Sequence, residues 1–100
     1  MSGTTPVDVV HNAAARRFEA RVEGQLCRAD YRLTGDAMML VHTEVPPALE
    51  GRGIAGQLVR AAFEYAGTHE LKVVPGCSYV QAWARRHPEA RGVLAPGWEA

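Results

Sequence analysis

The chain has 100 residues, 47% of them hydrophobic, with eleven cationic and eleven acidic side chains. That composition allows one small domain with a single core, argues against disorder, and leaves no basic excess for a nucleic-acid partner. The two cysteines, Cys27 and Cys77, make no metal-ligand cluster, no apolar run approaches the roughly 18–20 residues that span a bilayer, and residues 1–6 lack the parts of a signal peptide, so a reduced, cytoplasmic protein with no metal and no membrane partner is expected.

Residues 1–6 are polar and expected to fray. Val7 to Val10 begins a strand, and Asn12 marks a turn. Phe18 to Val22 alternates apolar and polar, the pattern of a half-buried strand, and Glu23-Gly24 reads as a tight turn. Gln25 to Leu33 alternates again, with Cys27, Ala29, Tyr31 and Leu33 on the expected core face. Thr34-Gly35-Asp36 turns the chain into a third strand, Ala37 to Val45, which Pro46-Pro47 stops because proline donates nothing to a ladder.

From Ile54 to Ala66 the period becomes helical, with Gly67 expected as the C-terminal cap. Gln57, Arg60 and Glu64 fall on its polar side. Leu71 to Val74 is a short strand, parallel to its neighbour through a right-handed crossover. Ser78 caps a last helix, Tyr79 to Arg86, which Pro88 ends. Residues 91–100 carry no readable element, and Trp98 is left as either docked or exposed. The fold class is mixed α/β: an antiparallel meander, a strand–helix–strand crossover and a C-terminal helix.

Between the third strand and the long helix lies Glu50-Gly51-Arg52-Gly53-Ile54-Ala55-Gly56. A glycine-rich turn that opens a helix holds phosphate well, because the first-turn amides have no internal partner and lie at the positive end of the helix dipole. It is not a P-loop, since Gly56 is followed by Gln57 and Leu58 in place of Lys and a hydroxyl. It satisfies G-x-G-x-x-G, with Glu70 nineteen residues after Gly51, but a chain with one long helix has too few parallel strands for a dinucleotide-binding unit.

The stretch resembles the acetyl-CoA pyrophosphate loop of the GCN5-related N-acetyltransferases, [QR]-x-x-G-x-[GA], through Gly53-Ile54-Ala55, with Glu50 in place of Gln or Arg. The resemblance extends over roughly Ala37 to Glu89. His42-Thr43-Glu44-Val45-Pro46, the loop and helix, Leu71 to Val80 with Cys77, and His87-Pro88-Glu89 look like the very short subfamily with a Cys after the last core strand. It implies one acetyltransferase-like domain over residues 1–100, with a core of about 7–89 and a tail of 90–100. It also implies acetyl-CoA as cosubstrate and an amine acceptor, either a protein or peptide lysine or a polyamine. The backbone of Thr43-Glu44-Val45 would take the pantetheine amides. Gly51, Arg52, Gly53, Ile54, Ala55 and Gly56 would hold the pyrophosphate.

Acetyl transfer needs a held thioester, an amine that loses its proton and a stabilised thiolate. His42 is a candidate base, with an ordinary pKa of about 6.5, and Glu44 shares its face of the strand as base or cation attractor. Cys77, ahead of the last helix, stands where a thiolate is favoured. It accepts the acetyl group, lines the thioester pocket, or is a small buried hydrophobe of the core. By resemblance, Tyr79 would protonate the leaving thiolate. Cys27 reads as core, and His87 as a cap for the helix end. The competing reading is a non-catalytic acyl-CoA-binding module.

Overall fold

The alternating stretches assemble into a meander. In the computed structural model, which describes residues 4–98, β1 (Val10–Asn12), β2 (Arg17–Val22), β3 (Gln25–Thr34) and β4 (Ala37–Glu44) pair antiparallel in sequence order. A crossover through α1 (Ile54–Thr68) adds β5 (Lys72–Pro75) parallel to β4, and α2 (Ser78–Arg86) follows. Glu23 and Gly24, at φ 52° and 76°, close the β2–β3 hairpin as a two-residue turn of the hand that matches strand twist.

Both helices lie on one side of the sheet. Val59 and Phe63 of α1 and Val80 and Trp83 of α2 share a core with Phe18, Tyr31, Leu40 and Val73. A second cluster, Ala20, Cys27, Ala29, Leu49, Ile54 and Leu58, fills the space under the start of α1. The opposite sheet face has no helix over it and carries Arg17, Glu19, Arg28, His42 and Glu44, with Met39 at 41% exposure.

β4 does not alternate from end to end. Tyr31 faces Leu40 and the preceding Asp30 faces His42, so Val41 is an extra residue and the strand bulges there. A bulge of one residue reverses which side chains point inward beyond it. Before it Met38 and Leu40 are buried; after it Thr43, opposite buried Ala29, takes the helix side, and His42 and Glu44 take the open side.

Several expectations are corrected. Leu33, expected in the core, is 48% exposed because it lies at the Gly35 hairpin, where no helix packs. Gly67 does not cap α1. The helix runs on to Thr68, and Glu70 takes the left-handed conformation (φ 58°), while Leu71 N–H donates to Ala66 C=O at 2.8 Å and Glu70 N–H to Gly67 C=O at 3.5 Å. The capping residue of α2 is Cys77, and Ser78 is already helical.

Gln57, expected to face solvent, holds the N-terminal segment. Its Oε1 accepts from Val7 N–H at 3.0 Å and its Nε2 donates to Thr5 C=O at 2.7 Å. Thr5 N–H also donates to Arg52 C=O at 2.9 Å, so residues 4–7 are docked against α1; the first three residues of the expected frayed end lie outside the described residues. At the other end, a 3-10 helix over Pro88–Val93 leads to Leu94, which is 5% exposed and bridges Val73, while Trp98 remains 42% exposed.

Candidate functional site

Where β4 and β5 meet, their pairing ends at Leu40 and Pro75. One further bond, Gly76 N–H to Leu40 C=O at 2.8 Å, closes the ladder. Beyond it the chain turns into α2 at Ser78, whereas β4 continues to Glu44 with only β3 beside it. The edge of β4 over residues 42–44 therefore faces no strand on the β5 side. Gly76 is required at this junction by space: a Cβ there would stand 2.8 Å from Leu40 O and 3.0 Å from Met39 Cγ.

Pro46 and the short 3-10 helix Pro47–Leu49 carry the chain from β4 to α1, anchored by fully buried Leu49. Gly53, at φ 74° and ψ 16°, precedes α1 in a left-handed conformation that a side chain would strain. The first helical bond is donated by Gln57 N–H to Gly53 C=O. The amides of Ile54, Ala55 and Gly56 have no carbonyl partner among the described residues, and no acid stands in the first turn. Free amides, the helix dipole and the missing acid together make this end of α1 suitable for an anion.

The unpaired edge of β4 and the first turn of α1 open onto one cleft of about 430 Å³. Of the residues singled out in the sequence, Thr43, Val45, Glu50, Gly51, Gly53, Ile54, Ala55 and Tyr79 line it, Glu50 being the one carboxylate among them. Cys77 adjoins it, half-buried, with its Sγ 4.0 Å from Thr43 Oγ1. Burial pushes the Tyr79 phenol above its ordinary value against the pull of Arg86, and Cys77 adds a smaller upward push. A phenol raised in this way stays protonated and can donate.

Four expected site residues stand elsewhere: Arg52, His42, Glu44 and Gly56. The Arg52 guanidinium donates to Glu23 Oε2 at 2.9 Å and does not line the cleft. The bulge sends His42 and Glu44 to the open face, where His42 Nε2 and Glu44 Oε1 are 3.2 Å apart. Arg28 donates to the same Glu44 oxygen at 2.8 Å. That bond, aided by His42, holds the Glu44 carboxyl below its ordinary range. Because a carboxylate only accepts, Nε2 carries the ring proton and leaves Nδ1 as the basic nitrogen. Gly56 lies on the far flank of the first turn, with its Cβ position 3.5 Å from Tyr79 Oη. Sequence reasoning missed Gly76 and Gln57. A glycine one residue past a strand that ends in Pro75 was the available signal for the first; nothing in the local pattern marked the second.

The fold and cleft define a mixed-sheet domain with a split parallel pair beside an anion-ready helix terminus. A family model for the GCN5-related N-acetyl-transferase matches residues 17–93. Protein NATD1 of Gallus gallus and of Mus musculus is in each case 37% identical over 86 residues, covering 83% of this chain and 78% of the relative. Protein NATD1 of Homo sapiens matches at the same identity over 76% of its length. The solution NMR structure of a GCN5-like protein from Staphylococcus aureus has a TM-score of 0.73 over 92% of this chain and 91% of its own, at 20% identity, a likeness of fold. The chain belongs to the GCN5-related N-acetyltransferase family. No helix among the described residues is long and apolar enough to cross a membrane.

Proposed function

We propose that this protein transfers an acetyl group from acetyl-CoA to an amine, working as one catalytic unit. The observation that carries the reading is the shared cleft: the β4 edge left free beyond Leu40 and the unpartnered amides of residues 54 and 55 open into the same space. Its volume suits part of an extended cosubstrate. The residues present fit acetyl-CoA, because the free amides of a first turn that carries no acid suit a pyrophosphate, with Glu50 the one carboxylate lining the cleft, and a free strand edge suits the amides of a pantetheine arm. When bound, acetyl-CoA supplies a thioester.

In this reading the amides of Ile54, Ala55 and Gly56 bind the pyrophosphate, and the backbone of Thr43 to Val45 aligns the arm. Gly51 and Gly53 allow close backbone approach. The thioester end then lies by Thr43 and Cys77, in the gap between the diverging strands. The amine enters from the open face, where His42 Nδ1 takes its proton and Glu44, accepting from Nε2, fixes the ring. The nitrogen–carbon bond forms, the carbon–sulfur bond breaks, and Tyr79 gives its proton to the departing sulfur. Cys77 lines the thioester end; the proton balance closes without acetylation of its sulfur. The sheet face opposite the helices has no helix over it among the described residues, which suits an acceptor presented on a protein or peptide lysine, or a polyamine.

The test is thiol release from acetyl-CoA with a lysine peptide or spermidine, alongside binding of acetyl-CoA. His42→Gln and Tyr79→Phe should each lower turnover by about 10²–10⁴-fold with binding retained. Binding without turnover in the unaltered protein would favour a silent acyl-CoA-binding module. No binding would sink the reading of the 51–56 turn. Mass spectrometry of the denatured protein after exposure to acetyl-CoA decides Cys77: an acetyl group on it would replace direct transfer with a covalent step.

A further inference from the structure

The first turn of α1 has a second flank. There Gly56 and Arg60 face Trp83, Arg86 and His87 of the α2 segment across a cleft of about 320 Å³. Gly53 and Tyr79 line both this cleft and the larger one, so the two adjoin around the same helix terminus.

The second cleft is built for an anion in its own right. Trp83 is 3% exposed over the whole residue, and its indole N–H, open to the cleft that the residue lines, has no protein acceptor among the described residues. That nitrogen points at the cleft flank of Gly56, 3.6 Å from where a Cβ would stand. An indole N–H that opens into a cleft with no protein acceptor can donate to an incoming anion. Around it the charge is positive. Arg86 is exposed, with no ion pair among the described residues. Arg60 sits 5.3 Å from the Trp83 ring, held on its far side by Glu89 at 3.0 Å, and no carboxylate lines the cleft. His87 Nδ1 donates to Trp83 C=O at 2.7 Å, which leaves Nε2 uncommitted. His87 also stacks on the Trp83 ring, 4.1 Å between centroids, so the ring serves here through its N–H edge and not as a platform for a base.

We propose that this cleft binds the 3′-phosphate of the CoA-type donor, and that Arg86 determines the preference for it. The proposal rests on the donor reading above. The chemistry of the donor fits the placement: its 3′-phosphate hangs on the same ribose that carries the pyrophosphate, so two phosphate groups one sugar apart meet two adjoining clefts. A phosphate monoester takes charge-assisted bonds from a guanidinium and accepts from the indole N–H.

The test compares CoA with dephospho-CoA by titration calorimetry of the full chain. The unaltered protein is expected to bind CoA at least tenfold more tightly. In Arg86→Gln that ratio should fall to within about threefold, with affinity for dephospho-CoA unchanged. An independent readout is the Trp83 indole N–H resonance, which should move with CoA and stay in place with dephospho-CoA. Equal affinity for the two ligands, a ratio that survives Arg86→Gln, or an indole resonance that ignores the 3′-phosphate would each overturn the assignment while leaving the donor reading intact. Failure to bind either ligand would overturn both.

Discussion

Replacing Gly76 by alanine tests the junction on which the cleft depends. The backbone of Gly76 is not in the left-handed region, so alanine meets no dihedral penalty. On unfolded-state entropy alone the change would stabilise by about 0.4–1 kcal/mol. Against this stands the 2.8 Å approach of the new methyl to Leu40 O. The other close atoms, Met39 Cγ at 3.0 Å and Sδ at 3.4 Å, belong to a half-exposed flexible side chain that can swing away. The carbonyl cannot, because it already accepts from Gly76 N–H at 2.8 Å and is part of β4. Overpacking of this kind costs about 1–3 kcal/mol, which leaves a net loss of about 1–2 kcal/mol and a fall in Tm on the order of 5–15 °C. Urea and thermal melts would measure it. The double variant Met39→Ala/Gly76→Ala should recover little, since the carbonyl remains. A Gly76→Ala protein as stable as the original, or a full rescue by Met39→Ala, would refute the argument that backbone proximity imposes glycine here.

Three other perturbations follow from the same structure. At the end of α1, Glu70→Gly should stabilise by about 0.5–1 kcal/mol by relieving a left-handed non-glycine residue. Gly67→Ala should also stabilise, by about 0.5–1 kcal/mol, because Gly67 is inside the helix and its methyl would meet Val93 at an ordinary 3.5 Å; destabilisation of Gly67→Ala in a denaturant melt would restore it as the cap. Burial, with a smaller push from His69, lowers the His11 pKa below 6.5. The unfolded chain then binds the proton first as pH falls, so this contribution is fully present above 6.5 and is lost as pH drops through the lower folded value. The Tm of His11→Gln should fall less between pH 7 and pH 5 than that of the unaltered protein, and parallel pH profiles would remove His11 as the source.

Much of the chain was legible locally. Alternation located β2 and β3, the glycine at position 24 marked their hairpin, Pro46-Pro47 closed the third strand, and the change of period at Ile54 began the helix, because each signal depends on neighbours a few residues away. The glycines around Gly53 announced a helix terminus free for an anion for the same reason. Contacts across long separations were not legible. Gln57 looked like a solvent-facing helix residue, and only its two bonds to the segment 50 residues earlier show it holding Thr5 and Val7. Arg52 had the right charge in the right turn, yet a carboxylate brought near by the β2–β3 hairpin takes its guanidinium.

The residue pattern by itself determined the order of elements, the mixed sheet and the place of the glycine turn, since periodicity, proline stops and hairpin glycines act within a few residues. Which side of β4 each candidate occupies was decided only in the tertiary structure. Strict alternation from Met38 and Leu40 would turn His42 toward the helices; the extra residue at Val41 turns Thr43 there instead and gives His42 and Glu44 to the open face. A bulge arises from how one strand registers against its neighbour, so the physical cause of that division lies in the pairing of β3 with β4.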